Sequence, residues 1–340
     1  MRRVLIVLLA GAALLLAGVA SAFAADNGLA RLEQQVAYLA RTTDAAVGVS
    51  ATHIESGRTV SVRGAEAFPM ASAFKLPVAV QTLSLVDEGK LSLDRMITVA
   101  PADMHPGSGD LSDLMFHPGL AMSLENLMEL MLTISDNSAA DLVLREAGGP
   151  AAVTARMKEL GFHAIRVDRP TVLLLAAWQG VKAVPPESEW NRDIWDKLFD
   201  AVPEAEHLRA RRAETASLRD TATADEMTRL LVRLWKRELL SARSTEELIG
   251  MLDRVRSGKG RLKGMLPQGT QVGHKTGSLG GVVNDAGIVT LANGAGHVAI
   301  TVFTKGSGRP EEVSEKAIAE IARTVYDYFT LNVAETGAAR

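Results

Sequence analysis

The sequence predicts an α+β fold: one antiparallel sheet built from both ends of the chain, with an all-helical lobe inserted between them. Three observations lead there. Near the start, two short β-like runs, Ala46 to Thr52 and Thr59 to Val62, flank the turn signal Glu55-Ser56-Gly57 and read as a hairpin. Near the end, three more runs, Gln271 to Lys275, Gly287 to Leu291 and His297 to Phe303, read as strands, with Asn293-Gly294 in the last connection. Between these groups the periodicity is helical. Pro77 to Glu88 is apolar-rich, and Ser123 to Thr133 carries Leu124, Leu127, Met128 and Met131 in register behind a Ser123–Asn126 start signal. Ala139 to Glu146, Ala151 to Leu160 and Thr223 to Trp235 follow the same pattern. Helices at both termini, Leu29 to Ala40 and Pro310 to Phe329, complete a five-stranded sheet flanked by terminal helices. The sheet lobe is expected at about 25–71 and 271–340, and the helical lobe at about 72–270.

Composition fits a globular domain: of 340 residues, 47% are hydrophobic and 23% charged. A formal net charge of -3 gives no electrostatic reason to expect nucleic acid or an anionic membrane as partner. The first two dozen residues differ from the rest. Arg2 and Arg3 precede an apolar run from Val4 to Ala20, followed by Ala20-Ser21-Ala22 and Ala22-Phe23-Ala24, both small-x-small cleavage patterns. Residues 1–24 therefore read as a secretory signal peptide, and the mature chain is expected to be periplasmic or secreted, off the membrane, and monomeric. There is no cysteine, which excludes disulfides, thiol nucleophiles and thiolate metal sites. The seven histidines lack ligand spacing, so no metal and no cofactor are expected.

Three short motifs carry chemistry. Ser72-Ala73-Phe74-Lys75 places a serine and a lysine on one helix face, where a lysine of depressed pKa can take the serine proton. Taken alone, Ser-x-x-Lys more often means a surface serine and a solvated lysine. Ser135-Asp136-Asn137 follows an apolar helical run. It offers a relay hydroxyl (Ser135), an amide for Lys75 or a substrate carbonyl (Asn137), and a turn-fixing carboxylate (Asp136), although such a cluster also suits an ordinary helix cap. Lys275-Thr276-Gly277 stands at a predicted strand end. Lys275 and Thr276 would face a substrate carboxylate, Gly277 would admit the substrate close to the strand, and Ser278 would offer a backbone N–H to an oxyanion.

All three motifs, in this order and in these settings, resemble the set found in class A β-lactamases and penicillin-binding proteins. The resemblance extends to "RDTATADEM" at 219–227, "GRLKGMLPQG" at 260–269 and "HKTGSLGGVVNDAGIV" at 274–289. It implies a serine hydrolase that opens the β-lactam amide through a Ser72 acyl-enzyme, with Lys75 and Ser135 as further catalytic residues. Asn137, Lys275, Thr276, Gly277, Ser278 and Arg261 would bind substrate. The expected partner is a small β-lactam or a cell-wall peptide. A D-Ala-D-Ala peptidase or esterase of the same acyl-enzyme type, and a non-catalytic binding protein, are the competing functions.

The sequence departs from that family in three places. The family loop Arg-x-Asp-Arg-x-Glu reads Arg166-Val167-Asp168-Arg169-Pro170-Thr171, so Thr171 stands where the resemblance implies a water-activating glutamate, and Leu175 where it implies an asparagine. A threonine hydroxyl is far too weak a base for that step at neutral pH. Glu187 and Glu189 follow in the sequence, as solvated acids or as substitutes folded back towards the site. The stretch from Trp178 to about Ala216 exceeds the family's needs and holds Trp178, Trp190, Trp195 and the basic run Arg209-Ala210-Arg211-Arg212. We expect an added helical element packing its tryptophans on the lobe, with the arginines solvated; a wall beside the site is the alternative. Finally, Val283 occupies a strand position where many relatives carry a carboxylate-binding arginine, and Arg261 is either its replacement or a surface residue.

Overall fold

The computed structural model describes residues 27–332; the signal sequence expected at 1–24 lies outside the described residues. Helix α1 (27–39) leads into the hairpin β1 (Ala46–His53) and β2 (Thr59–Val62), then β3 (Ala67–Pro69). A 3-10 turn at Ala71–Phe74 runs directly into α2 (Lys75–Asp87). The helical lobe continues through β4 (Met96–Thr98), α3 (Leu111–Leu114), β5 (Ala121–Ser123), α4 (Leu124–Thr133), α5 (Asn137–Glu146) and α6 (Gly149–Glu159). Next come α7 (Thr171–Gln179), α8 (Arg192–Asp200), α9 (Glu204–Ala216), β6 (Thr221–Thr223), α10 (Ala224–Trp235) and α11 (Ala242–Asp253). The chain returns to the sheet with β7 (Val272–Leu279), β8 (Val282–Thr290) and β9 (His297–Lys305), and closes with α12 (Glu311–Leu331). Among the described residues, no helix is long and apolar enough to cross a membrane.

The main sheet has the order β2-β1-β9-β8-β7, all antiparallel, as the sequence predicts. Both faces are covered, and strand side chains alternate between two cores. Val47, Val49, Ala51, Val298, Ile300 and Val302 point to one side, with Leu32 and Val36 of α1 and Ile318, Ile321, Val325 and Phe329 of α12. On the other side Ala286, Ile288, Ala299 and Phe303 join the helical lobe, where Phe74 of the 3-10 turn and Leu76, Val78 and Leu83 of α2 are fully or almost fully buried. The local signals act as expected. Ser123 Oγ accepts the Asn126 N–H at 3.2 Å and starts α4, a cap worth about 1 kcal/mol. Asn293 and Gly294 both take positive φ in the β8–β9 connection.

Two strands depart from expectation. Rather than ending at Lys275, β7 runs on to Leu279, and β8 starts at Val282 instead of Gly287. The first glycine of "KTGSLGG" is absorbed into the ladder, with Gly277 paired to Asn284 and Ser278 to Val283, and Gly280-Gly281 form the turn. The Lys-Thr-Gly motif therefore sits inside an edge strand, not at its end.

The added segment is a closed excursion. Its two ends meet where Asp220 Oδ1 accepts the Asp168 and Arg169 N–H groups at 2.7 and 3.1 Å, and Arg169 Nε donates to Asp220 Oδ2 at 2.7 Å. Arg169 Nη2 also reaches Glu214 at 2.8 Å. Residues 170–219 thus leave and return through one charged neck, carrying α7, α8 and α9. Trp195 is completely buried against Val172 and Ala176 of α7, with Trp190 beside it, as expected for tryptophans packing an added element. Trp178 behaves differently: it packs on Ala71 and Val282, against the turn that holds Ser72.

Candidate active site

Ser72 lies in the 3-10 turn between β3 and α2, so the start of a helix lies at Ser72 itself. Its N–H has no acceptor within that turn and is free to face a ligand. The residue before it, Ala71, holds φ at +46°, a conformation L residues other than glycine adopt at a cost. What imposes it is the packing around the turn. Asn284, fully buried on β8, donates through Nδ2 to the Pro69 and Met70 carbonyls at 2.8 and 3.0 Å, while its Oδ1 accepts the Thr304 N–H at 2.8 Å. Opposite stands Gly277 of β7: a Cβ there would lie 2.5 Å from the Met70 carbonyl oxygen and 3.0 Å from the nitrogens of Ser72 and Ala73. Gly277 therefore permits a close approach of the chain carrying Ser72, a need that the sequence did not show.

Gly277→Ala should accordingly displace the Ser72 turn. The overpacking costs about 1–3 kcal/mol, and a shift approaching 1 Å lowers a position-sensitive rate by about a hundredfold. Thermal unfolding and the rate of covalent labelling at Ser72 check this. Wild-type labelling with unchanged Tm would contradict it.

Two lysines are wholly buried, Lys75 at the start of α2, one turn after Ser72, and Lys275 on β7. Lys75 Nζ donates to the Ser135 carbonyl at 2.7 Å and to Asn137 Oδ1 at 3.0 Å, and lies 3.3 Å from Ser135 Oγ. Lys275 Nζ donates to the same Ser135 Oγ at 3.0 Å and to the Thr276 carbonyl at 2.9 Å. Ser135 holds its hydroxyl between the two amines from a left-handed backbone, φ +63°. Burial pushes the Lys75 amine down to about 7, against the opposing pull of Asp136 and Asp141. Lys275 is pushed well below its ordinary value, first by burial and then by the charge of Lys75. Asp136 caps α5, accepting the Ala139 and Leu111 N–H groups at 2.8 and 2.9 Å, which is the turn-fixing part expected of it.

The motif residues outside this chain are also placed. Thr276 Oγ1 lies 2.7 Å from Ser257 Oγ. Arg261 is 5% exposed and hence no surface residue. Its guanidinium donates to the Gly277 and Asn284 carbonyls at 3.1 and 3.0 Å, to Ser278 Oγ at 2.6 Å and to Glu315 at 2.9 Å. Arg261 thus clamps β7 to β8 and α12, with only its Ser278-bonded nitrogen directed towards the site. His274 points to the opposite face of β7 from Lys275 and bonds Asp285 at 2.8 Å, as a strand neighbour does.

A cavity of about 290 Å³ opens over Ser72, and Asn137, Thr171, Leu174, Trp178 and Ser278 are among the residues that line it. Thr171 and Leu175 both line this cavity. Thr171 is the first residue of α7, whose start is capped from outside by Asp141: its Oδ1 accepts the Thr171 N–H at 2.6 Å and its Oδ2 the Val172 N–H at 3.0 Å. Burial disfavours the Asp141 charge, but His105, with Nδ1 3.0 Å away, and these two N–H groups outweigh it and hold the carboxyl below its usual range. Glu187 and Glu189 are exposed in a separate turn and do not reach the cavity. Among the described residues that line it, Glu311 bears the one carboxylate, half exposed and 3.5 Å from Arg261. Four buried polar atoms without a partner, Thr171 Oγ1, Trp178 Nε1, Gln179 Oε1 and Arg211 Nε, belong to residues of this wall. Such atoms mark a place where a ligand or water completes the bonding.

Sequence reasoning missed several of these groups. Asn284 was present in "VVNDAG" but has no local signal, because the Pro69 and Met70 carbonyls it holds lie more than two hundred residues away. Asp141 follows Asn137 by four and shares its helix face, a spacing that identifies it in retrospect. Trp178 and Arg211 could not be placed without the path of 170–219. Of the basic run, Arg209 and Arg212 are exposed as expected, but Arg211 enters the wall of the cavity, so the added segment forms a wall beside the site as well as a packing element.

The sheet topology, the Ser72 turn and the two buried lysines bridged by a serine define a serine hydrolase built for acyl transfer. Comparison with known proteins names the family. Residues 31–329 match the β-lactamase enzyme family, and the chain belongs to it. It is 31% identical to a β-lactamase of Streptomyces albus G over 95% of this chain and 96% of that one. To the VEB-1 β-lactamase of Pseudomonas aeruginosa it is 27% identical, over 85% and 87%. A β-lactamase from Chitinophaga pinensis superposes with a TM-score of 0.73 at 28% identity, covering 87% of this chain and 98% of that one. An ancestral class A β-lactamase gives 0.71 at 30% identity, covering 87% and 99%. The fold is that of class A, and the chain is an enzyme of the β-lactamase type.

Proposed function

We propose that the protein opens the β-lactam amide by forming an acyl-enzyme at Ser72 and releases the product slowly. The observation that carries this reading is the Lys75–Ser135–Lys275 chain, joined through Asn137 to the cavity that Ser72 lines. In the proposed cycle, Ser72 Oγ attacks the lactam carbonyl carbon while its proton passes to the neutral Lys75 amine. The N–H groups of Ser72 and Ser278 receive the developing oxyanion. As the C–N bond breaks, the proton reaches the lactam nitrogen through Ser135 Oγ. Lys275 and Thr276 hold the carboxylate of the substrate, and Asn137 its amide carbonyl. Arg261 serves through Ser278 and as a brace rather than as a bidentate carboxylate ligand, since its other donors are committed to protein.

The second half of the cycle lacks its base. Thr171 faces the cavity with an unpartnered hydroxyl, and its neighbours Leu174 and Leu175 are apolar. Water has no well-placed carboxylate to activate it. This same feature favours a second reading, a D-Ala-D-Ala peptidase or esterase, in which a slower acyl-enzyme suffices. Release of D-alanine from a D-Ala-D-Ala peptide would support that reading. The leader at 1–24 puts either activity in the periplasm or outside the cell.

The test is the pH dependence of Ser72 acylation by benzylpenicillin, read by intact mass under single-turnover conditions. Lys75 accepts a proton only when neutral, and its amine is held at about 7. Acylation should therefore rise with pH through about 7, reaching roughly a tenth of its limit one unit below. A rate independent of pH between 5.5 and 8.5 would remove Lys75 from the base position. No labelling of the wild type, or equal labelling of Ser72→Ala, would overturn the reading altogether.

A further inference from the structure

We infer that the groove beyond Gly280 is a subsite for an anionic group, a carboxylate on the acyl side chain of the substrate. The inference rests on the acyl-transfer reading above for its orientation, but its physical basis is separate. The groove, about 620 Å³, is lined by Arg211, Arg212 and Arg309 together with Gly280, Gly281 and Ser307. Arg211 and Gly280 also belong to the wall of the Ser72 cavity, so the two spaces adjoin along one edge. None of the three guanidinium groups forms a hydrogen bond or ion pair among the described residues, whereas arginines nearby do: Arg169 and Arg219 both hold Glu214, and Arg209 holds Glu206. Arg211 Nε is buried and without a partner. An arginine in that state presents donors that a carboxylate satisfies.

The position of Arg211 is built into the chain. A Cβ at Gly280 would lie 2.9 Å from Arg211 Nε and 3.0 Å from its Cζ, so only glycine leaves the guanidinium its place against the β7–β8 turn. The acids around the groove are otherwise engaged. Asp44 accepts Ser307 Oγ and the Gly308 N–H at 2.7 and 2.8 Å, and Glu311 faces Arg261.

The direction of β7 assigns the group. Lys275 and Thr276 lie at one end of the motif and meet the carboxylate of the lactam nucleus. Ser278 stands at the scissile carbonyl. What lies further along the edge strand, past Leu279 to Gly280 and Arg211, is the acyl side chain. The segment 170–219, by carrying Arg211 to this edge, makes a negatively charged side chain a preferred feature of the substrate.

Benzylpenicillin and its α-carboxy analogue differ by the one charge required. Binding of both to Ser72→Ala, which cannot be acylated, is measured by calorimetry; acylation of the wild type by both is measured by intact mass. The carboxylated compound should bind Ser72→Ala more tightly. That preference, taken as a ratio, should fall about tenfold in Ser72→Ala/Arg211→Gln and shrink as ionic strength rises. Ser72→Ala/Arg309→Gln, altered at another residue that lines the groove, should lower the ratio too, and serves if the Arg211 variant does not fold. Equal affinity for the two compounds in Ser72→Ala, or a ratio unchanged by both arginine substitutions, overturns the subsite. Failure of both compounds to acylate the wild type would instead strike the acyl-transfer reading, while the binding ratio still decides the subsite.

Discussion

Thr171→Glu is expected to shorten the lifetime of the Ser72 acyl-enzyme by at least about tenfold, approaching the roughly 10²–10⁴ that a well-placed general base contributes. Thr171 is already in the cavity wall, with its backbone fixed by the Asp141 carboxylate and its hydroxyl unpartnered. A glutamate there sits in the first turn of α7, where its charge is favoured by the helix dipole. It also approaches Asp141, and that like charge raises the pKa of the new carboxyl, keeping it nearer the range useful for a base. The change should appear in release alone, with acylation at the wild-type rate. Thr171→Gln is the control, close in shape and unable to take a proton. Equal acyl-enzyme lifetimes for the wild type, Thr171→Glu and Thr171→Gln would show that the missing carboxylate is not what limits release.

Lys75→Ala has the larger effect on the other half-reaction. Acylation should fall by about 10²–10⁴, the contribution of a positioned base, and the rise through pH 7 should vanish with it. The loss is not simply one of packing. Lys75 joins the Ser135 carbonyl and hydroxyl and the Asn137 amide, so its removal also frees the groups that hold the relay. The Lys275 amine loses a neighbouring positive charge and should titrate higher than in the wild type. Single-turnover mass spectrometry across pH measures the first effect. A variant that kept the wild-type rate and pH profile would place the proton acceptor elsewhere.

The sheet and most helices were legible because their signals are local. Alternating Val and Ile in β1 and β9, the Ser123 cap and the Asn293-Gly294 connection each act over a few residues. The length of β7 was not legible, for the converse reason: Thr276, Gly277 and Ser278 carry little strand signal together, and their pairing with β8 and the clamp from Arg261 hold them in the ladder. Ser72, Lys75, Ser135, Asn137 and Lys275 were legible through their spacing; the fold bonds Lys75 to Ser135 and Asn137 and Lys275 to Ser135, and Asn137 lines one cavity with Ser72. Asn284, Trp178 and Arg211 were not, since their contribution depends on long-range packing. Gly277 shows the intermediate case. Its smallness was evident, but the close approach of β7 to the Ser72 turn that also requires it was not. Extra length was visible from Trp178 to about Ala216, whereas the wider 170–219 excursion, its return through Arg169 and Asp220, and the side of the cavity it therefore covers depended on the tertiary structure.

The most direct measurement follows the intact mass of the mature protein over time after mixing with benzylpenicillin, with the modified peptide identified and the drug remaining in solution assayed in parallel. The account predicts that the protein gains the mass of one penicillin on the peptide containing Ser72, that this adduct forms faster than it decays, and that drug is consumed slowly thereafter. Absence of any adduct together with intact drug would contradict acylation at Ser72. Rapid consumption of drug with no accumulated adduct would contradict the second half of the account, that Thr171 leaves release without its base.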